Sequence, residues 1–190
     1  MTTIVGIRRE QHKEVWIGSD TLLTSPGLRL GKMSKTALVN AGTEDETCIA
    51  IAGPATAILA VQDILSTHDF DDWSTTLAVY RNILAIHCVM RDHHGLITQE
   101  HEDDTFESSQ FQSIVANSHG MWMTLNSREV IPVVNLCAIG SGREIAIGVV
   151  EGMGMLDPEA TIKRALMVAS QYDKSTGKEA EIWSNERNPH

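Results

Sequence analysis

Hydrophobic and polar positions along the chain fall into short strand-like runs, then two helical stretches, and then the same succession again. Residues 3–8 (TIVGIR) are β-branched and apolar, residues 10–13 are polar, and residues 15–20 (VWIGSD) turn apolar again. This pattern predicts a hairpin, in which the second strand returns alongside the first. Asp20, at the end of the return strand, is thereby brought back to the amino-terminal end of the chain. Residues 21–35 carry Ser25, Pro26 and Gly27, then Lys32, Met33, Ser34 and Lys35, and read as a loop before a short strand over 36–39. Past a turn at 40–46, the run 47–53 (TCIAIAG) is apolar almost without interruption, the mark of a buried strand.

Pro54 suits the first position of a helix, where its missing N–H costs nothing. Ala57, Ile58, Val61, Ile64 and Leu65 then recur at helical spacing. A second helix is predicted over 73–91, with Leu77, Tyr80, Leu84 and Cys88 on one side and Val79, Ile83, Ile86 and Met90 on another. A helix apolar nearly all round is covered on more than one side, and part of that surface is expected to face another subunit. Residues 94–110 hold Glu100, Glu102, Asp103, Asp104 and Glu107 among few apolar residues and read as an exposed acidic loop. Short strands are predicted at 113–116, 121–125, 130–134 and 136–139, and Gly140-Ser141-Gly142 opens a helix over 143–151. Asp157 as N-cap and Pro158 after it start a last helix, with Ile162, Ala165, Leu166, Ala169 and Tyr172 on one stripe, before a strand at 180–183. The succession predicts an α+β fold, a four-layer αββα sandwich of two antiparallel sheets flanked by helices.

Length and composition narrow the class. With 190 residues and no internal repeat or linker, the chain reads as a single domain over 1–190. No apolar run reaches the length of a membrane span and no secretory signal is visible, so a cytoplasmic protein with no membrane partner is expected. A formal charge of −10 argues against a nucleic-acid partner, which needs a basic surface. Cys48, Cys88 and Cys137 are widely spaced among apolar neighbours and read as reduced core residues. His87, His93, His94 and His101 lack the spacing of a tetrahedral metal site, and the Gly140–Gly142 turn lacks the lysine of a P-loop, so neither metal nor cofactor is expected.

Candidate chemistry sits at the start. Thr2 follows Met1, and aminopeptidases remove a methionine that precedes a small residue. Thr2 would then carry a hydroxyl and a free amine of pKa about 7.7–8.0, supplying nucleophile and base together. A processed terminus leading into a strand is the plainer reading of the same residues. Likewise Asp20 and Lys35 could form an ordinary ion pair, Gly53 could be a turn glycine, and Lys32 competes with Lys35.

Six segments in order add a resemblance to these readings. Thr2-Thr3-Ile4-Val5-Gly6, Gly18-Ser19-Asp20, Gly31-Lys32-Met33-Ser34-Lys35, Ile51-Ala52-Gly53, Ile139-Gly140-Ser141-Gly142 and Tyr172-Asp173-Lys174-Ser175-Thr176-Gly177 together resemble the proteasome β-subunit and HslV family of N-terminal nucleophile hydrolases. The resemblance covers nearly the whole chain. Only Met1 precedes the threonine, as in HslV, whereas the acidic stretch is longer and Pro54 follows Gly53, so a smaller bacterial proteasome-homologue group fits as well.

The resemblance implies a threonine endopeptidase with Thr2 as nucleophile, Lys35 favouring its alkoxide, Asp20 holding Lys35, and the Gly53 N–H stabilising the oxyanion. Ser141 and Asp173 would position the amine, and Met33, Ile51 and Ala55 would line a pocket for apolar residues. It further implies a homo-oligomeric double ring of 12 or 14 subunits acting on peptides or unfolded proteins, served by an ATP-dependent unfoldase. A catalytically silent ring-forming scaffold and an amidase for small substrates are the other functions this frame allows.

Overall fold

The computed structural model describes residues 2–25, 28–70, 72–97 and 106–187. The first half contributes β1 (Thr3–Arg9), β2 (Glu14–Asp20), β3 (Leu22–Ser25), β4 (Leu28–Lys32), β5 (Thr36–Val39) and β6 (Thr47–Ala52), followed by helices α1 (Ala55–Thr67) and α2 (Thr76–His93). The second half contributes β7 (Gln112–Asn117), β8 (Gly120–Thr124), β9 (Val130–Pro132) and β10 (Leu136–Gly140). Helices α3 (Arg143–Met153) and α4 (Pro158–Tyr172) and strand β11 (Ala180–Ser184) complete it. One sheet has the order β10-β1-β2-β11 and the other β5-β6-β7-β8-β9, with every pairing antiparallel. Among the described residues no helix is long and apolar enough to cross a membrane.

Three apolar layers explain why the strands read as they do. Between the sheets lie Ile4, Ile17, Cys48, Ala50, Ile114, Met121 and Ile139. Ile49, Ile51, Ile58, Val61, Ile83 and Phe111 fill the space beneath α1 and α2, and Val5, Ile7, Trp16, Ala146, Ile162 and Leu166 that beneath α3 and α4. Alternate residues of β6 thus point to different cores: Cys48, Ala50 and Ala52 toward the facing sheet, Ile49 and Ile51 toward the helices. A strand covered on both faces needs no polar alternation, which is why 47–53 is continuously apolar. The expected four-layer αββα sandwich is the fold observed.

Local departures have local causes. The stretch read as a loop over 21–35 contains the β3–β4 hairpin. It pairs with no other strand and β4 is exposed throughout, so no buried alternation marks it in the sequence. Helix α2 begins at Thr76, where the Thr75 hydroxyl accepts the Ala78 N–H at 3.2 Å, while Trp73 is buried ahead of it with its ring centroid 5.6 Å from that of Phe70. Of the two apolar sides of α2, Val79, Ile83, Ile86 and Met90 are buried, whereas Leu77 and Tyr80 face solvent. Tyr172, placed on the inward stripe of α4, is instead 75% exposed at its last turn.

The acidic stretch also differs from a plain solvated loop. Residues 98–105, and with them Glu100, Glu102, Asp103 and Asp104, lie outside the described residues. Beyond them Ser109 and Phe111 are buried. Buried His87 on α2 meets Ser109 Oγ with Nδ1 at 2.9 Å and Glu107 Oε2 with Nε2 at 3.0 Å, tying the end of the stretch to the helix. Cys48 and Cys137 are free, buried thiols; burial pushes the Cys137 thiol up to about 12 and Cys48 higher still.

The layering makes a direct prediction for α2. Ile86→Ala should cost about 2–5 kcal/mol through lost burial and a residual cavity, whereas Arg81→Ala on the exposed face should stay within about 0.5 kcal/mol. Urea denaturation of the two variants at equal protein concentration measures the difference.

Candidate active site

The site is built where the amino-terminal strand meets the ends of its neighbours. Antiparallel register pairs Ile4 with Ser19 on β2 and Thr3 with Gly140 on β10, so Thr2 and Thr3 lie beside Asp20 on one side and the Gly140–Gly142 turn on the other. Asp20 is fully buried and saturated with donors. Its Oδ1 accepts the Thr3 N–H at 2.8 Å and a short hydrogen bond from the Thr2 hydroxyl. Its Oδ2 accepts the N–H groups of Leu22 at 2.9 Å and Gly177 at 2.8 Å, and the Lys35 ammonium at 2.9 Å.

Lys35 arrives from the other sheet. It precedes β5, and its carbonyl accepts the Ile51 N–H of β6 at 2.8 Å. Its side chain, also buried, donates to Thr2 Oγ1 in a second short bond as well as to Asp20. Burial lowers the Lys35 pKa below that of an ordinary lysine, against the opposing pull of the Asp20 carboxylate and of Glu181. Lys32, its competitor in the sequence, is on the surface and pairs with Glu179 at 2.6 Å. Thr2 Oγ1 is therefore bracketed by one buried cation and one buried carboxylate.

A second cluster holds the main chain of Thr2. The Ser141 N–H donates to the Thr2 carbonyl at 2.9 Å, and Ser141 Oγ lies 3.5 Å from the same oxygen. Ser141 and Thr176 hydroxyls each donate to Asp173 Oδ2 at 2.5 Å. Burial would raise the Asp173 carboxyl, but these two hydroxyls and the Ser175 N–H outweigh it and hold the carboxyl below the usual carboxylate range. Gly140 has φ of +89°, and a Cβ there would stand 1.9 Å from the Thr2 carbonyl oxygen, so the turn requires glycine.

The remaining expected residues belong to the neighbouring sheet and its helix-side core. Gly53 directly follows β6, two residues past the rung to Lys35. Met33 is half-buried against the helix-side core and Ala55 is half-exposed at the first turn of α1. Ile51 is different: it is fully buried within that core and presents no surface of its own. The sequence reading gave Thr3 no role, because a threonine in a strand looks like β-propensity alone. Thr176 and Gly177 entered it only as members of a segment.

Burial of the Lys35–Asp20 pair makes its halves interdependent. Asp20→Ala would strand the Lys35 cation in a dry site and leave three backbone N–H donors without their acceptor. It should destabilise the protein by about 3–5 kcal/mol, or more if the loop at 20–22 unravels. The double variant Asp20→Ala/Lys35→Met should recover part of this, as read by denaturant midpoints.

No family model matches the chain and no curated protein matches it by sequence. Solved structures do. BPH from Thiobacillus denitrificans superposes with a TM-score of 0.83 at 22% identity, covering 96% of this chain and 97% of that one. HslV from Trypanosoma brucei gives 0.67 at 16% identity over 96% and 98%, and Anbu from Yersinia bercovieri 0.72 at 11% over 96% and 81%. At such identities the likeness carries architecture and not residue roles, yet it spans essentially the entire chain: this protein has the proteasome-like N-terminal nucleophile hydrolase fold.

Proposed function

We propose that the chain is the threonine-type endopeptidase subunit of a self-compartmentalising assembly, with Thr2 as nucleophile once Met1 is removed. The observation that carries this reading is the placement of Thr2 Oγ1 against both Lys35 Nζ and Asp20 in a buried site. A buried cation beside a hydroxyl stabilises the alkoxide that attack on a peptide carbonyl requires. The Thr2 amine, directly or through one water, takes the hydroxyl proton and later delivers it to the leaving amine. Asp20 keeps Lys35 charged and oriented, and the Gly53 N–H receives the developing oxyanion, a donor worth about 3 kcal/mol in such sites. Ser141 and Asp173 position the amine. Met33 and Ala55 line the pocket before the scissile bond, and fully buried Ile51 belongs to the core behind Met33 rather than to the lining.

The assembly reading draws on surface as well as on fold. Leu77 and Tyr80 on α2, Leu38 on β5 and Leu59 on α1 remain exposed on the isolated chain. Side contacts repeated with closed symmetry give rings, and two rings face to face enclose a chamber of 12 or 14 subunits with Thr2 inside. The same kind of contact left unclosed gives a helix, and the Anbu complex of Pseudomonas aeruginosa is described as a helical assembly. A chamber of this kind, in the cytoplasm, admits peptides and unfolded chains and needs an ATP-dependent unfoldase for folded ones.

BPH has been determined in complex with epoxomicin, which supplies the probe. Epoxomicin, an electrophile, should add to the wild-type chain at Thr2 after loss of Met1 and leave Thr2→Ala unmodified; intact mass reads both. Thr2→Ala should abolish peptide cleavage and still assemble, and Lys35→Ala should lower kcat by roughly 10²–10⁴-fold. Wild-type turnover by Thr2→Ala would sink the mechanism. Cleavage should be bell-shaped in pH, rising as the amine loses its proton near about 7.7–8.0. It should fall again as Lys35 deprotonates, at a pH below the ordinary lysine value because burial lowers that pKa. Native mass spectrometry tests the rings; a monomer or dimer at micromolar concentration would refute the chamber and favour a small-substrate amidase.

A further inference from the structure

Beside Thr2, a second threonine is held in an unusual way for a strand residue. Thr3 is fully buried, yet its hydroxyl does not bond within its own strand. It accepts the Gly142 N–H at 3.1 Å and lies 2.5 Å from the hydroxyl oxygen of Thr176, itself fully buried. Thr176 Oγ1 lies in turn 2.5 Å from Asp173 Oδ2. The proton order along this row follows by elimination. A carboxylate only accepts, so the one proton of Thr176 goes to Asp173. Thr176 then has no proton left for Thr3, and the bond between the two hydroxyls uses the proton of Thr3. The row therefore runs in one direction, from the Gly142 N–H through Thr3 and Thr176 to Asp173.

The turn is shaped around this row. A Cβ on Gly142 would stand 2.4 Å from Thr3 Oγ1 and 3.0 Å from Thr176 Oγ1, so even a methyl group would displace both hydroxyls. Each bond polarises the next in the same sense, and the two threonines in the middle of the row are fully out of water. Their terminus is the carboxylate that also receives the Ser141 hydroxyl, whose own backbone N–H holds the Thr2 carbonyl.

We propose that Thr3 is a positioning residue for the Thr2 site, its hydroxyl acting through Thr176 to fix the Asp173 carboxylate and, with it, Ser141. The proposal rests on the reading of Thr2 as nucleophile for its catalytic consequence, but not for the existence of the row itself. Nothing in it requires Thr3 to touch substrate.

A double-mutant cycle tests it. Thr3→Val keeps the shape of the side chain and removes the hydroxyl. It should lower kcat by about threefold to tenfold, the weight of one hydrogen bond, with KM changed less than about twofold. Thr3→Ser should restore most of the loss. In an Asp173→Ala background, where the row has lost its acceptor, Thr3→Val should cost little further. Equal losses in both backgrounds, or a serine no better than valine, would overturn the proposal and leave Thr3 a packing residue. Should Thr3→Val not fold, Thr176→Val breaks the same row and carries the same expectations. The cycle is repeated on denaturant midpoints, which need no turnover. If the wild-type chain cleaves nothing, the reading of Thr2 fails, and the midpoints alone decide whether Thr3 and Asp173 are coupled; additive midpoints would overturn the row.

Discussion

The buried ion pair between Lys35 and Asp20 is the constraint around which the rest of the structure is arranged. Two charges removed from water cost several kcal/mol each unless geometry and additional hydrogen bonds compensate. Here compensation is thorough: Asp20 receives the Thr3, Leu22 and Gly177 N–H groups, the Thr2 hydroxyl and the lysine. Those donors come from four separate parts of the chain. The pair can therefore form only when β1, the start of β3, the segment before β5 and the loop before β11 are all gathered around the end of β2, so its formation awaits much of the tertiary fold.

The pair also spans the two sheets. Asp20 ends β2 of one sheet and Lys35 precedes β5 of the other, tied by its carbonyl to Ile51 on β6. The distance between the sheets is set by the apolar layer of Ile4, Ile17, Cys48, Ala50, Ile114 and Ile139. Small residues on the inner face of β6 let that layer be thin, and a lysine side chain is then long enough to reach from one sheet's edge to the other's carboxylate. Packing in the sandwich and geometry at Thr2 are one problem: a volume change in the layer moves Lys35 relative to Asp20.

Much of this was legible in the sequence because the patterns involved are local. The hairpin of β1 and β2 followed from two apolar runs and a polar turn, and with it the return of Asp20 to the amino terminus. The burial of β6 followed from its lack of polar alternation, and the four layers from the succession of elements. What escaped was what depends on tertiary register. Lys32 and Lys35 differ little in composition of surroundings, so the residues alone leave both open; the resemblance favours Lys35, and the fold sends Lys32 to Glu179 on the surface and Lys35 inward. In the β3–β4 hairpin β4 is exposed throughout and β3 only half-buried, so no buried alternation leaves a periodic trace. His87 read as one histidine among several, and its burial depends on the remote Ser109 and Glu107. Thr3 is invisible for the same reason, since its partner Thr176 lies at the far end of the sequence.

The donors on Asp20 also constrain which group can act as base on the proposed reading. A carboxylate offers about four lone-pair sites, and the Asp20 oxygens already face five donors, two on Oδ1 and three on Oδ2. Taking a proton from Thr2 would turn an acceptor into a donor aimed at N–H groups, and it would cost three backbone N–H groups their anionic acceptor. Asp20 is thus built to hold charge rather than to exchange it. Lys35, donating to both Thr2 Oγ1 and Asp20 Oδ2, is in the same position while it is charged, with no lone pair to offer. Neither neighbour on that side of the hydroxyl can receive its proton, and the acceptor must approach from elsewhere. On the proposed reading that acceptor is the nitrogen of Thr2 itself, a residue held in place through its carbonyl by the Ser141 N–H. On that reading the nitrogen is a base only as a free amine, never as an amide, so removal of Met1 would be the step that switches the site on.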